Sequence, residues 1–187
     1  DTVGGAFASR LWWILKYYGH SKVAVLDGGY TYWINQNYPV SSGECINPLG
    51  NFSGTPNDKM LATTQDVIEL VSNSQGCLID ARSPQRYLGE FEPIDPIAGH
   101  IPGAINRFHQ LNLLDDYRLL PTDQLYDQFS QLISGHSIDH VVVYCGSGVT
   151  SCHHLLALEI AGLSGAKLYA GSWSEWIRSQ DRPISIG

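Results

Sequence analysis

The run Val141-Val142-Val143-Tyr144 ends at the loop Cys145-Gly146-Ser147-Gly148-Val149-Thr150, and a helix-like stretch from about Ser151 to Ala161 follows. That order, strand, glycine-bearing loop, helix, constrains the chain more than any other feature. Cys145 at the mouth of the unit sits over a helix N-terminus, where backbone N–H groups and the positive dipole end favour its thiolate. Gly146 and Gly148 let the loop curl so that its N–H groups converge on one anion. The combination reads as a nucleophile aimed at a sulfur or phosphorus centre.

Further strand-like runs alternate with helix-like ones. Thr64-Gln65-Asp66 caps a helix to about Asn73, and Cys77-Leu78-Ile79-Asp80 is a short buried strand. Ser83 to Gly99 reads as a long polar loop with three prolines, and Gly103–Asn106 as another strand. Thr122-Asp123 caps a helix to about Ser134, and His140–Tyr144 is the central strand. Ala166–Tyr169 is the last strand and Trp173–Ser179 the last helix. Such alternation predicts an α/β domain whose central sheet is mainly parallel, with helices on both faces. Ligands of such sheets sit at the carboxyl ends of strands, where Cys145 falls.

Within the 187 residues, two stretches match at a constant offset of 143: Gly19 falls on Gly162, Gly28 on Gly171, Tyr30 on Trp173 and Trp33 on Trp176. Helix, Gly, short strand, Gly turn, helix is thus used twice, a period too long for a solenoid. Two homologous units fit: residues 1–44 as the C-terminal half of a first domain, 45–64 as a Gly/Ser/Asn/Pro-rich linker, and 65–187 as a complete second domain. The offset carries Cys145 onto Thr2, so the first copy lacks the nucleophile. A half domain is expected to leave Leu11, Trp12, Trp13, Ile14, Val23 and Val25 bare, although burying one such side chain contributes about 1.5–3 kcal/mol. Residues 1–44 are therefore expected to need a missing N-terminal segment, travelling as a separate, nicked polypeptide.

Net charge is −7, which argues against a nucleic-acid partner, and no apolar run approaches the roughly 20 residues of a membrane span. The four cysteines, 45, 77, 145 and 152, show no CxxC pair or His ligand pattern. No metal site and no disulfide framework are expected, and a reducing, cytoplasmic setting fits.

Four motifs of the second unit together resemble the tandem-domain sulfurtransferases of the rhodanese superfamily: Leu78-Ile79-Asp80-Ala81-Arg82, Arg86-Tyr87-Leu88-Gly89, Gly99-His100-Ile101-Pro102-Gly103-Ala104-Ile105-Asn106, and the Cys145 loop with Gly171-Ser172-Trp173-Ser174-Glu175-Trp176. Ala8-Ser9-Arg10-Leu11-Trp12-Trp13 and Leu26-Asp27-Gly28-Gly29 resemble the second half of that family's inactive first domain. The loop Cys-Gly-Ser-Gly-Val-Thr resembles the 3-mercaptopyruvate-using members; thiosulfate-using members tend to carry basic residues after the cysteine. A loop with backbone N–H groups and two hydroxyls, and no cation, suits a monocarboxylate better than a dianion. One departure stands out. Mercaptopyruvate members commonly carry a second arginine nine residues after the one at Arg86, and here that position is Asp95. An acid there should repel an anionic substrate or hold a different partner.

The resemblance implies a rhodanese-like fold and a two-step reaction without metal or organic cofactor. Cys145 takes sulfur from a small anionic donor as a persulfide, and a thiol, a thioredoxin-type dithiol or cyanide removes it. Thiosulfate is the alternative donor, and a non-enzymatic sulfur carrier the rival from another class. Gly146, Ser147, Gly148, Val149 and Thr150 are expected to stabilise the thiolate and persulfide through backbone N–H groups. Ser147 either hydrogen-bonds the leaving enolate or relays a proton, or merely closes the turn; Thr150 reads as a helix N-cap. Arg86 is the candidate for the donor carboxylate, the alternative being an ion pair with Asp80 or Glu90. Arg82 reads as a structural salt bridge, Asp80 and His100 as loop fixers, His153 and His154 as helix-face residues, and Cys152 and Trp176 as packing. A phosphatase needs an arginine six positions after the cysteine; position 151 is serine.

Overall fold

The computed structural model describes residues 1–73 and 76–187. Its centre is a five-stranded sheet: β1 (Leu61–Ala62), β2 (Cys77–Asp80), β3 (Ile105–Asn106), β4 (Val141–Tyr144) and β5 (Lys167–Tyr169). The spatial order is β1-β5-β4-β2-β3 and every neighbouring pair is parallel. Strand order reverses between β2 and β4. The crevice at their carboxyl ends is where open α/β sheets bind ligands.

Helices cover both faces because the strands are apolar on both. Ile79, Val141, Val143 and Leu168 point to one side, against Leu125 and Phe129 of α5 (Thr122–Leu132) and Leu155, Leu156 and Leu158 of α6 (Ser151–Ile160). Leu78, Val142, Tyr144 and Tyr169 point to the other, against Val67 of α3 (Thr64–Asn73) and Trp173 and Trp176 of α7 (Ser172–Trp176). This is the period-two alternation of a strand, expressed in a sheet buried on both faces. The α/β class, the parallel sheet and its two helical layers are as expected from the sequence.

Several elements differ from expectation. The presumed linker 45–64 contains edge strand β1, which pairs Leu61 with Leu168. The cap of α3 is Thr63, whose N–H is accepted by Asp66 while its hydroxyl accepts the N–H of Asp66, a reciprocal capping box. The polar loop after Ser83 holds a helix, α4 (Pro84–Leu88), started by proline at its first position and ended by Gly89 at φ 79°. The first repeat has its helices, α1 (Ala6–Tyr17) and α2 (Gly29–Asn35), but residues 20–26 between them form no ladder.

Helix α1 lies along α6. Lys16 and Glu159, which occupy the same position of the 143-residue repeat, form a 2.8 Å salt bridge. Arg10 donates to the carbonyl of Gly148 (3.1 Å), and His153 Nε2 to the carbonyl of Gly4 (2.8 Å). Arg10 and His153 are themselves 143 residues apart, and the carbonyls they reach fall within one position of equivalence (Gly148 corresponds to Gly5), so the two helices are related by an approximate local two-fold. Trp12 and Trp13 are buried in this seam, and Val23 and Val25 pack on its margin. The apolar face expected to be bare is therefore covered in part by α6; Leu11 remains exposed.

The polar centre of this packing is Asn112. Its side-chain oxygen accepts from Arg107, so its amide must face the other way, and it donates to Nδ1 of both His153 and His154 at 2.9 Å. Each imidazole is thereby held neutral with its proton on Nε2, which donates to Gly4 or to the carbonyl of Arg107. No helix among the described residues is long and apolar enough to cross a membrane.

Burial pushes the pKa of His153 down to about 4. Between roughly pH 6.5 and 4 the unfolded chain therefore binds a proton that the folded chain refuses. Stability is full above about pH 6.5 and falls as pH drops toward 4, by about 3 kcal/mol from this residue. Urea unfolding at pH 7 and pH 4.5 checks this. A His153→Gln variant should lose part of the acid sensitivity, and an unchanged pH dependence in that variant would refute the assignment.

Candidate active site

Cys145 is the first residue past β4, at the strand-order reversal, and 2% exposed. Its backbone is held from both sides of the crevice. The Cys145 N–H donates to the Ser172 hydroxyl (3.1 Å), which in turn donates to the Tyr169 carbonyl (2.8 Å). The Cys145 carbonyl accepts the Trp173 N–H. Ser172 adopts φ 55°, a left-handed conformation that few non-glycine residues take. The two buried hydrogen bonds of its hydroxyl account for tolerating it.

The thiol is surrounded by donors. Burial opposes its ionisation, yet the hydroxyls of Ser151 and Thr150 and the N–H groups of Ser151 and Ser147 together outweigh that, and the pKa lies below the ordinary thiol value. The Ser151 hydroxyl is 3.5 Å from Sγ. By contrast Cys152, with no such cradle, is pushed up to about 12 by burial, and Cys77 to about 11. Only Cys145 among the buried cysteines is therefore poised as a nucleophile.

The loop has this shape because of two glycines. Gly148 sits at φ 76°, and a Cβ there would collide with the Ala170 carbonyl. At Gly146 a Cβ would stand 3.3 Å from the Arg86 guanidinium, so Arg86 lies directly over the loop. Val149 and Thr150 are half-buried and Ser147 is exposed. Thr150 makes no cap hydrogen bond and is itself helical, at φ −70°, so the cap expected there is absent and its hydroxyl serves the sulfur instead.

A chain of alternating charges joins β2 to this loop. Asp80, at the end of β2, accepts from the N–H and guanidinium of Arg82 at 2.7–3.1 Å. Arg82 also reaches Glu92 (3.3 Å) and the Gly99 carbonyl (2.7 Å), and lies over the Trp173 ring at 4.8 Å. Glu92 next grips Arg86, at 2.9 and 3.0 Å from Nε and 2.7 Å from Nη2. Burial disfavours the charged form of Glu92, but Arg86 and the N–H groups of Asp95 and Ile94 hold its pKa below the ordinary value. Arg86 Nη2 continues to Asp95 (3.1 Å). The Ser174 hydroxyl is 2.7 Å from both Asp95 and the Gly146 carbonyl, which closes the chain on the nucleophile loop.

The structure thus brings Cys145, Arg86, Gly146, Gly148, Val149, Thr150 and Ser147 together at one strand end. The partners of Arg86 are Glu92 and Asp95, not Asp80 or Glu90. Arg82 is the structural bridge expected. His100 is a loop fixer, stacked on Tyr87 with Nδ1 at 2.8 Å from the Tyr87 carbonyl. His153 and His154 lie on α6, as expected, and are buried in the polar network around Asn112. Trp176 is core, its Nε1 donating to the Pro183 carbonyl. Sequence reasoning missed Ser151, Ser172, Ser174 and Glu92. Only Ser151, six residues past the cysteine at the helix start, carried a local signal that it could face the sulfur.

Among the described residues no cluster of His, Cys, Asp and Glu could hold a metal ion. A cavity of about 490 Å³ lies at the opposite end of the sheet between α1 and α6 and shares no residue with this loop.

A parallel α/β sheet with a thiolate-stabilising loop at its strand-order reversal defines a class, and residues 63–179 match the family model described as "Rhodanese-like domain". The chain belongs to that family. Over 188 residues it is 45% identical to "Probable 3-mercaptopyruvate sulfurtransferase" of Pseudomonas aeruginosa, a match covering 100% of this chain and 66% of that one. It is 35% identical to "3-mercaptopyruvate sulfurtransferase" of Mus musculus (95% and 60% covered) and 31% identical to "Thiosulfate sulfurtransferase" of Rattus norvegicus (95% and 61%). The chain spans just under two thirds of the length of these relatives. The same fold occurs in the structure titled "The wildtype structure of EanB", with TM-score 0.84 and 23% identity over 96% of this chain and 44% of that one.

Replacing Ser151 by alanine removes the hydroxyl that lies 3.5 Å from the sulfur. The midpoint of Cys145 alkylation by iodoacetamide against pH should move upward, and the rate at neutral pH should fall several-fold. An unshifted profile would show that the Thr150 hydroxyl and the backbone N–H groups suffice.

Proposed function

We propose that this protein is a sulfurtransferase that carries sulfur on Cys145, with 3-mercaptopyruvate as donor. The observation that carries the reading is a buried thiol whose pKa is nonetheless lowered, by hydroxyls and N–H groups that converge on it from the Cys145 loop. The names borne by the relatives point the same way. A thiolate is the form that attacks, and the donors that stabilise it are placed to stabilise a persulfide anion as well.

In the first half-reaction the Cys145 thiolate attacks the donor sulfur. An S–S bond forms and the C–S bond breaks, with its electron pair passing to the methylene carbon as the enolate of pyruvate. The donor thiol's proton ends on that carbon, giving pyruvate and a Cys145 persulfide anion. Ser147, exposed at the loop mouth, is the hydroxyl placed to relay that proton. Arg86, whose guanidinium lies over Gly146 of the loop, is the group offered to the donor's carboxylate. In the second half-reaction cyanide, a thiol or a thioredoxin-type dithiol attacks the outer sulfur. With cyanide the products are thiocyanate and the original thiolate. Sulfur is carried covalently throughout, so the scheme needs neither metal nor organic cofactor.

Thiosulfate is the second reading, favoured by the name of a 31% identical relative. It would leave sulfite in place of pyruvate and form the same persulfide. The loop offers that dianion no lysine or arginine of its own between Gly146 and Thr150.

Steady-state transfer to cyanide with each donor, in the wild type and in Cys145→Ser, tests the proposal. Transfer from 3-mercaptopyruvate at least about tenfold more efficient than from thiosulfate, with loss of about 10³-fold or more in the variant, is the expected result. Activity surviving in the variant would remove Cys145 from the reaction, and thiosulfate preference would overturn the donor.

A further inference from the structure

We infer that Asp95 is a specificity-determining residue that holds, on Arg86, the place a carboxylate-bearing donor needs, so that such a donor binds by displacing it. The inference rests on the sulfurtransferase reading for its substrate, and on the hydrogen-bond count of one guanidinium for its argument. Arg86 can present two flat edges to a carboxylate, Nε with Nη2 and Nη1 with Nη2. Glu92 occupies the first, with both oxygens at 2.9–3.0 Å from Nε and Oε1 at 2.7 Å from Nη2. The second proton of Nη2 goes to Asp95 at 3.1 Å. Only Nη1 is left, which can offer a donor single-point contact but not a fork.

Asp95 is itself well held. Its other oxygen lies 2.7 Å from the Ser174 hydroxyl, and its side chain is 8% exposed. Charge reinforces the effect. Arg82 and Arg86 are faced by Asp80, Glu92 and Asp95, so this group of five is net negative before any donor arrives. With Asp95 removed, the five become a balanced four, and the Nη1–Nη2 edge opens beside the Cys145 loop. Glu92 still anchors Arg86 in place, and Ser174 keeps its hydrogen bond to the Gly146 carbonyl of the loop.

Pyruvate, the carboxylate product, is the probe, because its binding needs no sulfur transfer. Calorimetric Kd values are compared for wild type, Asp95→Ala, Asp95→Asn, Arg86→Ala and the double variant Arg86→Ala/Asp95→Ala. Asp95→Ala is expected to bind pyruvate about tenfold more tightly, the size of one charge-assisted hydrogen bond, with a smaller gain in Asp95→Asn, whose amide oxygen can still accept from Nη2, and the gain should vanish when Arg86 is absent. In turnover, KM for 3-mercaptopyruvate should fall by a similar factor with kcat unchanged. A purely structural Asp95 would weaken binding when replaced. Unchanged or weaker pyruvate binding, or an equal gain in the Arg86→Ala background, would overturn the inference. Wild-type transfer lost in Cys145→Ser reports separately on the reaction, so failure of one is not failure of the other.

Discussion

Keeping an ionised sulfur inside a protein is the constraint to which the rest of this structure answers. Burial alone drives thiols the other way, as Cys77 and Cys152 show by rising to about 11 and 12 in the same molecule. Cys145 escapes because β4 ends where α6 begins its first turn, so that N–H groups without helical partners and the hydroxyls of Thr150 and Ser151 all face one point. That placement requires a parallel sheet, a strand-order reversal and two glycines in the loop. The fold is in this sense the apparatus that aims a handful of dipoles.

Charge around the site is arranged as a line. From Asp80 through Arg82, Glu92 and Arg86 to Asp95, signs alternate, and each group is held by the next at 2.7–3.3 Å. The line ties the end of β2 to the loop after β4 through Ser174. Such a chain of buried pairs contributes less to stability than its length suggests, since desolvation offsets much of the attraction. Its clearer effect is positional. It fixes Arg86 over Gly146, and it decides how much of that arginine is left for a ligand.

The first 44 residues pack α1 against the second unit. Helix α1 reaches the nucleophile loop through Arg10, and α6 returns the contact through His153. Asn112 makes this seam polar yet satisfied, by serving two imidazoles and one guanidinium at once. Among the described residues no buried side-chain nitrogen or oxygen lacks a partner. The interior is thus polar in places without being loose.

Much of this was legible in the residues themselves. Apolar runs and glycine loops decide locally where a strand ends and a helix starts, so the central strand, Cys145 and its loop follow from Val141 to Ala161 alone. The repeat, too, is a matter of matching letters. What the sequence left open concerns residues far apart in the chain that meet only at the strand ends. Asp95 meets Ser174 because the loop after α4 folds against the start of α7, and no local pattern encodes that meeting. The same holds for Ser172, whose strained backbone makes sense only beside the Cys145 N–H 27 residues away. Backbone propensity and hydrophobic period act over a few residues and determined the elements. Hydrogen-bond pairing of buried charges acts across the whole domain, and only the tertiary structure decided it.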